Sequence, residues 1–277
     1  MADHGIDAAE ATGDPRPRGW SRRQVVGGAL AGFGAVAIGG RVLGTGFGAF
    51  TDDSTTSVAD RAERLTAPER RRWFVEQVGA SVEGRPIHLV SNVVENSRAT
   101  VLAIAVVHGD ERGAGAVGAD LTTVLVPPGV NAYVVPCANP DGWERGTRNN
   151  ARDVDLNRNF PWWWMAADGG PAAASEPETQ TMMAVVRRLR PALTVWIHQP
   201  YEYVAAIDPN ARRYAEIWAG AAGLPVRPFV SQHGGGESWT YYSERLPSIL
   251  VEGTTRDAGV GETTAHRRAF EAVLAAM

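Results

Sequence analysis

The chain has 277 residues, 44% of them hydrophobic and 21% charged, the make-up of an ordinary globular protein with room for one large domain. Its net charge of -4 gives no reason to expect nucleic acid as a partner. The single cysteine, Cys137, excludes an internal disulfide; it follows the strand-like Val134-Val135-Pro136 and reads as a small buried hydrophobe rather than a reactive thiol.

Residues 1–59 do not read as part of the fold. A polar leader ends in Ser21-Arg22-Arg23-Gln24-Val25-Val26, and an apolar, Gly/Ala-rich run covers 25–40. Paired arginines ahead of a weakly hydrophobic segment are the pattern of a twin-arginine export signal. The alternative is a short membrane anchor, but the run reaches Arg41 before the roughly 20 residues a bilayer needs. Ser57-Val58-Ala59 is a candidate cleavage site, with Gly46-Phe47-Gly48 as a rival. The expectation is a signal segment over 1–59, a catalytic domain over 60–277, and export to the periplasm, cell wall or medium. That route carries folded proteins, which suits a domain without disulfides.

Within 60–79 the pattern is helical, with Leu65, Phe74, Val75 and Val78 set among charges and a restart at Ala67-Pro68. Gly84-Arg85-Pro86 turns the chain into a strand over 87–94, and Asn96 and Ser97 turn it into a second over 100–107. The second is almost free of polar residues, as a strand covered on both faces is. His108-Gly109-Asp110-Glu111 then leads into a helix over 113–126 with Ala116, Val117 and Leu121 on one side. The spacing lets His108 and Glu111 converge, with Gly109 giving the backbone freedom to bend. Pro127-Pro128-Gly129 is a turn, and 130–136 a third strand.

The stretch 139–160, NPDGWERGTRNNARDVDLNRNF, reads either as solvated surface or, where a reactive group pairs with it, as a grip for an anion. Arg145, Arg148 and Arg158 present planar forks of donors, and Asn149, Asn150, Asn157 and Asn159 add neutral ones. Asp155 reads as a brace for this loop or for a metal ligand. Trp162, Trp163 and Trp164 follow, either lining a cleft or capping the core edge. Ser175 and Glu178 form a capping-box pattern at the head of a helix running to Arg190, whose apolar face is Met182, Val185, Val186 and Leu189. A buried strand over 193–197 stops at His198, and Tyr201 and Tyr203 are candidates to border a cleft. A helix covers 210–220, with Tyr214, Ile217 and Trp218 inward. The strand 248–251 stops at Glu252, and a last helix over 261–277 turns Ala265, Phe270, Val273 and Leu274 to the sheet.

Each reactive group therefore sits where a strand-like run ends, which is where open α/β sheets gather their ligands. His108, Glu111 and His198 are the ligand set of one catalytic zinc ion with a position left for water, and Glu252 remains as general base.

In order, H-x-x-E, NPDG, R-x-x-R, DLNRNF, IH and a strand-closing Glu resemble the zinc carboxypeptidase family, the funnelins, over roughly residues 80–275. The NPDG, VDLNRNFP and IHQP segments look most like its compact bacterial branch, which includes murein peptide amidases. The resemblance implies an α/β fold with a mixed central sheet flanked by helices, and a metallocarboxypeptidase with one zinc per chain. By the same likeness Arg148 polarises the scissile carbonyl, Asn157 and Arg158 clamp the substrate's terminal carboxylate, and Arg145 is a secondary cationic position. A cis peptide is expected just after His198. Aligning on Trp239 and Glu252 puts Val230 where the digestive enzymes carry a mobile tyrosine; His233 and Tyr241 are candidates to replace it. Glu237 falls at the side-chain selectivity position, where an acid favours lysine, arginine or the free amino end of diaminopimelate. It equally suits the start of a helix, whose dipole its charge complements.

The expected partner is a murein peptide or a peptide with a basic C-terminus, acted on by a monomer that meets a membrane only through an uncleaved signal. Two rivals remain in view. A deacylase of N-acyl amino acids shares H-x-x-E and a DLNR-like stretch, but NPDG and IHQP argue against it. An inactive peptide-binding module is disfavoured by the complete set of ligands and Glu252.

Overall fold

A computed structural model of the chain describes residues 72–254 and 258–277. The expected leader and the 60–71 portion of the expected first helix lie outside these residues. The strands are β1 (Phe74–Ala80), β2 (Pro86–Asn92), β3 (Ala99–Ala105), β4 (Val130–Val135), β5 (Leu193–His198), β6 (Tyr203–Ala206) and β7 (Ser248–Glu252). They form one sheet in the order β1-β2-β4-β3-β5-β7-β6. The central four, β4, β3, β5 and β7, are parallel, and antiparallel strands complete both edges. The helices are α1 (Arg112–Leu121), α2 (Pro140–Arg145), α3 (Pro177–Leu189), α4 (Arg212–Ala222), α5 (Gly236–Tyr242) and α6 (Val260–Ala275), with a 3-10 turn at Leu156–Arg158. This is the mixed, helix-flanked α/β sheet that the resemblance to the zinc carboxypeptidases implies.

Alternation along β3 shows why its sequence is apolar throughout. Val101, Ala103 and Ala105 join a core with Val117 of α1, Trp218 of α4 and Phe270 of α6. Leu102 and Ile104 join a second core with Met182 and Val186 of α3, Phe160 and Trp239. Side chains of a strand point to opposite faces in turn, so a strand covered on both sides has no polar position to spare.

The helix expected over 60–79 is overturned at its end, where Phe74–Ala80 is a strand with Val75 opposite Val90 and Glu76 opposite Leu89. Gly84, at φ +79°, donates its N–H to Ser81 O at 3.0 Å and closes a tight hairpin that brings β1 against β2. Phe74 and Val75 stay exposed, so they mark no buried helical face. The capping box also fails to form: Ser175 Oγ donates to Glu176 at 2.7 Å, and Glu178 accepts from Val82 N–H at 3.1 Å. α1 stops at Leu121, short of 126, where the hydroxyls of Thr122 and Thr123 bond back to Ala119 O and Asp120 O.

Because β3, β5 and β7 are parallel, their C-terminal ends share one edge of the sheet. His198 and Glu252 close β5 and β7 and are register partners there, and His108 follows β3.

Candidate active site

Asn139, Pro140 and Gly146 make α2 a locally specified helix. Asn139 Oδ1 accepts from Gly142 N–H at 2.9 Å, Pro140 opens the helix, and Gly146 ends it at φ +66°. Asn139 Nδ2 also donates to Val107 O and Arg148 O, both at 3.3 Å, pinning the loop to the end of β3. Gly109 is required there by proximity, since a Cβ would stand 2.0 Å from the Gly142 carbonyl carbon. Its expected role as a bend is replaced by this close approach.

At that edge His108, Glu111 and His198 are buried and their ligand atoms lie within 4.8 Å of one another. His108 Nδ1 is 2.7 Å from Glu111 Oε1, and His198 Nδ1 is 3.2 Å from His108 Nδ1 and 3.3 Å from Glu111 Oε1. Two imidazole nitrogens converging with one carboxylate oxygen make a donor set that fits zinc. His108 Nε2 is 3.1 Å from Asp155 Oδ1, a partner that holds this ring's proton on Nε2 and leaves Nδ1 for a metal. Asp155 Oδ2 accepts from Arg148 Nε at 3.0 Å and lies 2.9 Å from its Nη2.

Electrostatics follow the same packing. Burial pushes Glu111 up, but the two imidazoles outweigh it and hold the carboxyl down at about 2. Burial lowers His198, yet Glu111, Glu252 and Glu237 outweigh it and raise the ring to about 9; His108 is raised by Glu111 and Asp155 against its burial. Glu252 is raised to about 7 by burial and by the charges of Glu111 and Glu237, against the opposing pull of His198. Its Oε2 is buried with no hydrogen-bond partner among the described residues.

The anion-gripping stretch divides. Asn150 is spent on Arg152 N–H, Val154 N–H, Glu176 and Glu178; Asn159 holds Gly169 O, Ala172 O and Glu176 N–H; Asn149 holds Asp153. These three asparagines close the loop instead of offering donors to a ligand. Asn157 Oδ1 accepts from Gly236 N–H at 2.8 Å, which fixes it to the head of α5. Arg158 donates to Asn157 O at 2.8 Å and has Nε 3.7 Å from Asp168. Arg145 pairs with Glu83 and reaches Ala151 O, with no contact to the histidines.

Glu237 is 1% exposed, its Oε2 lacks a partner among the described residues, and its charge reaches Glu252 and His198. Val230 is exposed, His233 is engaged by Asp168 at 2.9 Å, and Tyr241 packs on the second core. Of the three consecutive tryptophans, Trp162 stacks on Tyr242 at 4.3 Å, Trp163 is exposed, and Trp164 donates to Gly169 O at 2.8 Å. Gln199-Pro200 is cis, as expected. Cys137 is buried, which pushes its thiol up to about 12.

A family model described as zinc carboxypeptidase matches residues 61–242. Murein peptide amidase A of Escherichia coli K12 is 33% identical over 189 residues, covering 62% of this chain and 75% of the relative. The Vibrio campbellii protein of the same name is 31% identical over 195 residues, covering 63% and 77%. Among solved structures, murein-tripeptide amidase MpaA from Escherichia coli O157 aligns at TM-score 0.56 and 29% identity, over 77% of this chain and 94% of that one. Carboxypeptidase A of Helicoverpa armigera shares the fold at TM-score 0.60 and 21% identity, over 79% and 71%. By fold and by sequence, then, the chain belongs to the zinc carboxypeptidase family and is a hydrolase acting on peptides.

Proposed function

We propose that the protein is an exported, zinc-dependent metallocarboxypeptidase that hydrolyses the peptide bond next to a free terminal carboxylate. The observation that carries this reading is the meeting of His108, Glu111 and His198 within 4.8 Å, with Glu252 as the register partner of His198. In this reading the three ligands hold one zinc ion per chain, whose Lewis acidity polarises a carbonyl and lowers the pKa of water to about 7.

Glu252 takes a proton from the attacking water and returns it to the leaving amine. Arg148, oriented by Asp155 through Nε and Nη2, keeps Nη1 for the oxygen on which negative charge develops. Asn157 and Arg158 hold the terminal carboxylate, the guanidinium fixing orientation as well as charge. Arg145, paired with Glu83, is a secondary cationic position by family likeness alone. Glu237, a buried carboxylate whose Oε2 has no hydrogen-bond partner among the described residues, favours a substrate side chain with a positive end.

Two substrate classes satisfy that pocket: murein peptides carrying diaminopimelate, and peptides with a basic C-terminal residue. Likeness to the murein peptide amidases supports the first. The paired arginines at 22 and 23 support export.

The test gives the zinc-loaded full chain peptides with varied C-terminal residues, their C-terminally amidated copies, and diaminopimelate-containing murein peptides, with released amino acids read by mass. Loss of turnover on amidation and preference for basic ends are expected. Hydrolysis of N-acyl amino acids with none of the peptides cleaved replaces this reading by the deacylase. Export is checked by the N-terminal mass of protein recovered outside the cytoplasm; protein found only inside, with residues 1–59 intact, refutes it.

A further inference from the structure

The two histidines of the metal centre are braced unequally. His108 Nε2 meets Asp155 Oδ1 at 3.1 Å, whereas His198 Nε2 is buried with no hydrogen-bond partner among the described residues. A metal-ligating imidazole is ordinarily oriented through its far nitrogen. Beyond packing and the contacts of its Nδ1 with His108 and Glu111, what positions this ring acts through its backbone. His198 O accepts from Gly253 N–H at 2.8 Å. The next residue, Gln199, is 6% exposed, and its Oε1 accepts from Ala114 N–H at 2.7 Å across 85 residues of sequence.

Ala114 is the third residue of α1, where the N-cap side chain usually satisfies the free N–H. Here the N-cap residue is Glu111, which makes no cap bond because its carboxylate is turned to His108 at 2.7 Å. We infer that Gln199 is a positioning residue of the metal centre: its carboxamide supplies the helix cap that Glu111 forgoes, and so ties the segment carrying His198 to the segment carrying Glu111. The inference rests on the zinc reading above. This hydrogen bond thereby adds to the direct contact of His198 Nδ1 with Glu111 in holding two of the three ligands in register.

The test uses the full chain and two variants. Gln199→Leu keeps much of the bulk and removes the acceptor; Gln199→Glu keeps an acceptor oxygen at the same reach. Zinc affinity is measured by chelator competition, the cobalt(II)-substituted protein by its visible spectrum, and the metal-free protein by its melting temperature. For Gln199→Leu, zinc affinity is expected to fall on the order of 10–100-fold, with an altered cobalt spectrum. Its metal-free melting temperature should fall by only about 2–4 °C, the size of one lost cap. Gln199→Glu should keep the wild-type cobalt spectrum; the spectrum decides there, because the added charge shifts affinity by itself.

A Leu variant within about twofold of wild-type affinity and with an unchanged spectrum overturns the role, since outer-shell partners of this kind act at 10-fold or more. So does a Glu variant that shows the Leu variant's spectrum. If Gln199→Leu does not fold, Gln199→Asn, which retracts the acceptor by one methylene, takes its place with the same expected spectrum change. Wild-type protein that binds neither zinc nor cobalt removes the metal reading itself, a result separate from either failure of Gln199.

Discussion

Asp155 stands 3.1 Å from the far nitrogen of His108, while its other carboxylate oxygen accepts from Arg148 at 3.0 Å. One side chain therefore orients both the ring proposed to hold the metal and the guanidinium proposed to meet the developing oxyanion. Burial raises its carboxyl, but the bond and charge of His108 and the charges of Arg148 and Arg158 hold it well below the usual carboxylate range. Asp155→Asn is expected to weaken zinc binding on the order of 10–100-fold and to lower kcat/KM as well. Chelator competition and steady-state kinetics check the two effects. Unaltered zinc affinity in Asp155→Asn counts against the pairing with His108 as a determinant of the site.

Glu252→Gln keeps the shape of the side chain and removes its basicity. Turnover is expected to fall about 10²–10⁴-fold with zinc content unchanged. In the metal-free chain burial and the neighbouring carboxylates raise Glu252 to about 7, and a base works only when ionised, so the loaded enzyme is expected to lose activity as pH falls through the value Glu252 has there. A cation on His108, Glu111 and His198 favours the charged form, so the acid limb of kcat/KM in the loaded enzyme is expected below pH 7. That limb should vanish in Glu252→Gln. A variant that turns over at the wild-type rate revives the binding-module reading.

Asp141 lies under the β1–β2 hairpin, accepting from Ser81 Oγ at 2.7 Å, Glu83 N–H at 3.0 Å and Arg85 at 2.7 Å. Burial raises its carboxyl, but these bonds outweigh it and the net shift is downward. A depressed carboxyl contributes stability that is present above its unfolded value of about 3.9 and lost as pH falls through its folded value. Asp141→Asn is thus expected to melt about 2–8 °C below wild type at pH 7. The gap should close once the pH falls below the folded value, and thermal melts across pH measure it. A gap that persists unchanged into acid shows that packing, not charge, is what the substitution removes.

Legibility in the sequence followed burial. β3, β5 and β7 could be read because both faces are covered, and His108, His198 and Glu252 because each ends an apolar run. β1 could not, since Phe74 and Val75 are exposed and its pairing with β2 is set by the hairpin. The asparagines misled for a related reason: a carboxamide that closes a turn has the same sequence as one that meets a ligand. The partners of Asn150, Glu176 and Glu178, lie 26 and 28 residues away, and only the fold brings them to it.

Glu237 separates two explanations of one buried charge. It sits in the first turn of α5, where the helix dipole favours an acid, yet its Oε2 is buried with no hydrogen-bond partner among the described residues. If its purpose were the dipole, Glu237→Gln would lower stability and leave substrate preference alone. If it meets the positive end of the substrate, the variant loses a hydrogen bond to a charged group. The ratio of kcat/KM for lysine-ended over leucine-ended peptides is then expected to fall on the order of 10–100-fold. Removing a buried carboxylate beside Glu252 also lessens the repulsion on that group, so the acid limb of activity should move to lower pH in the same variant. A displaced limb with an unchanged lysine-to-leucine ratio would leave Glu237 as an electrostatic neighbour of the base and locate side-chain selection elsewhere in the cleft.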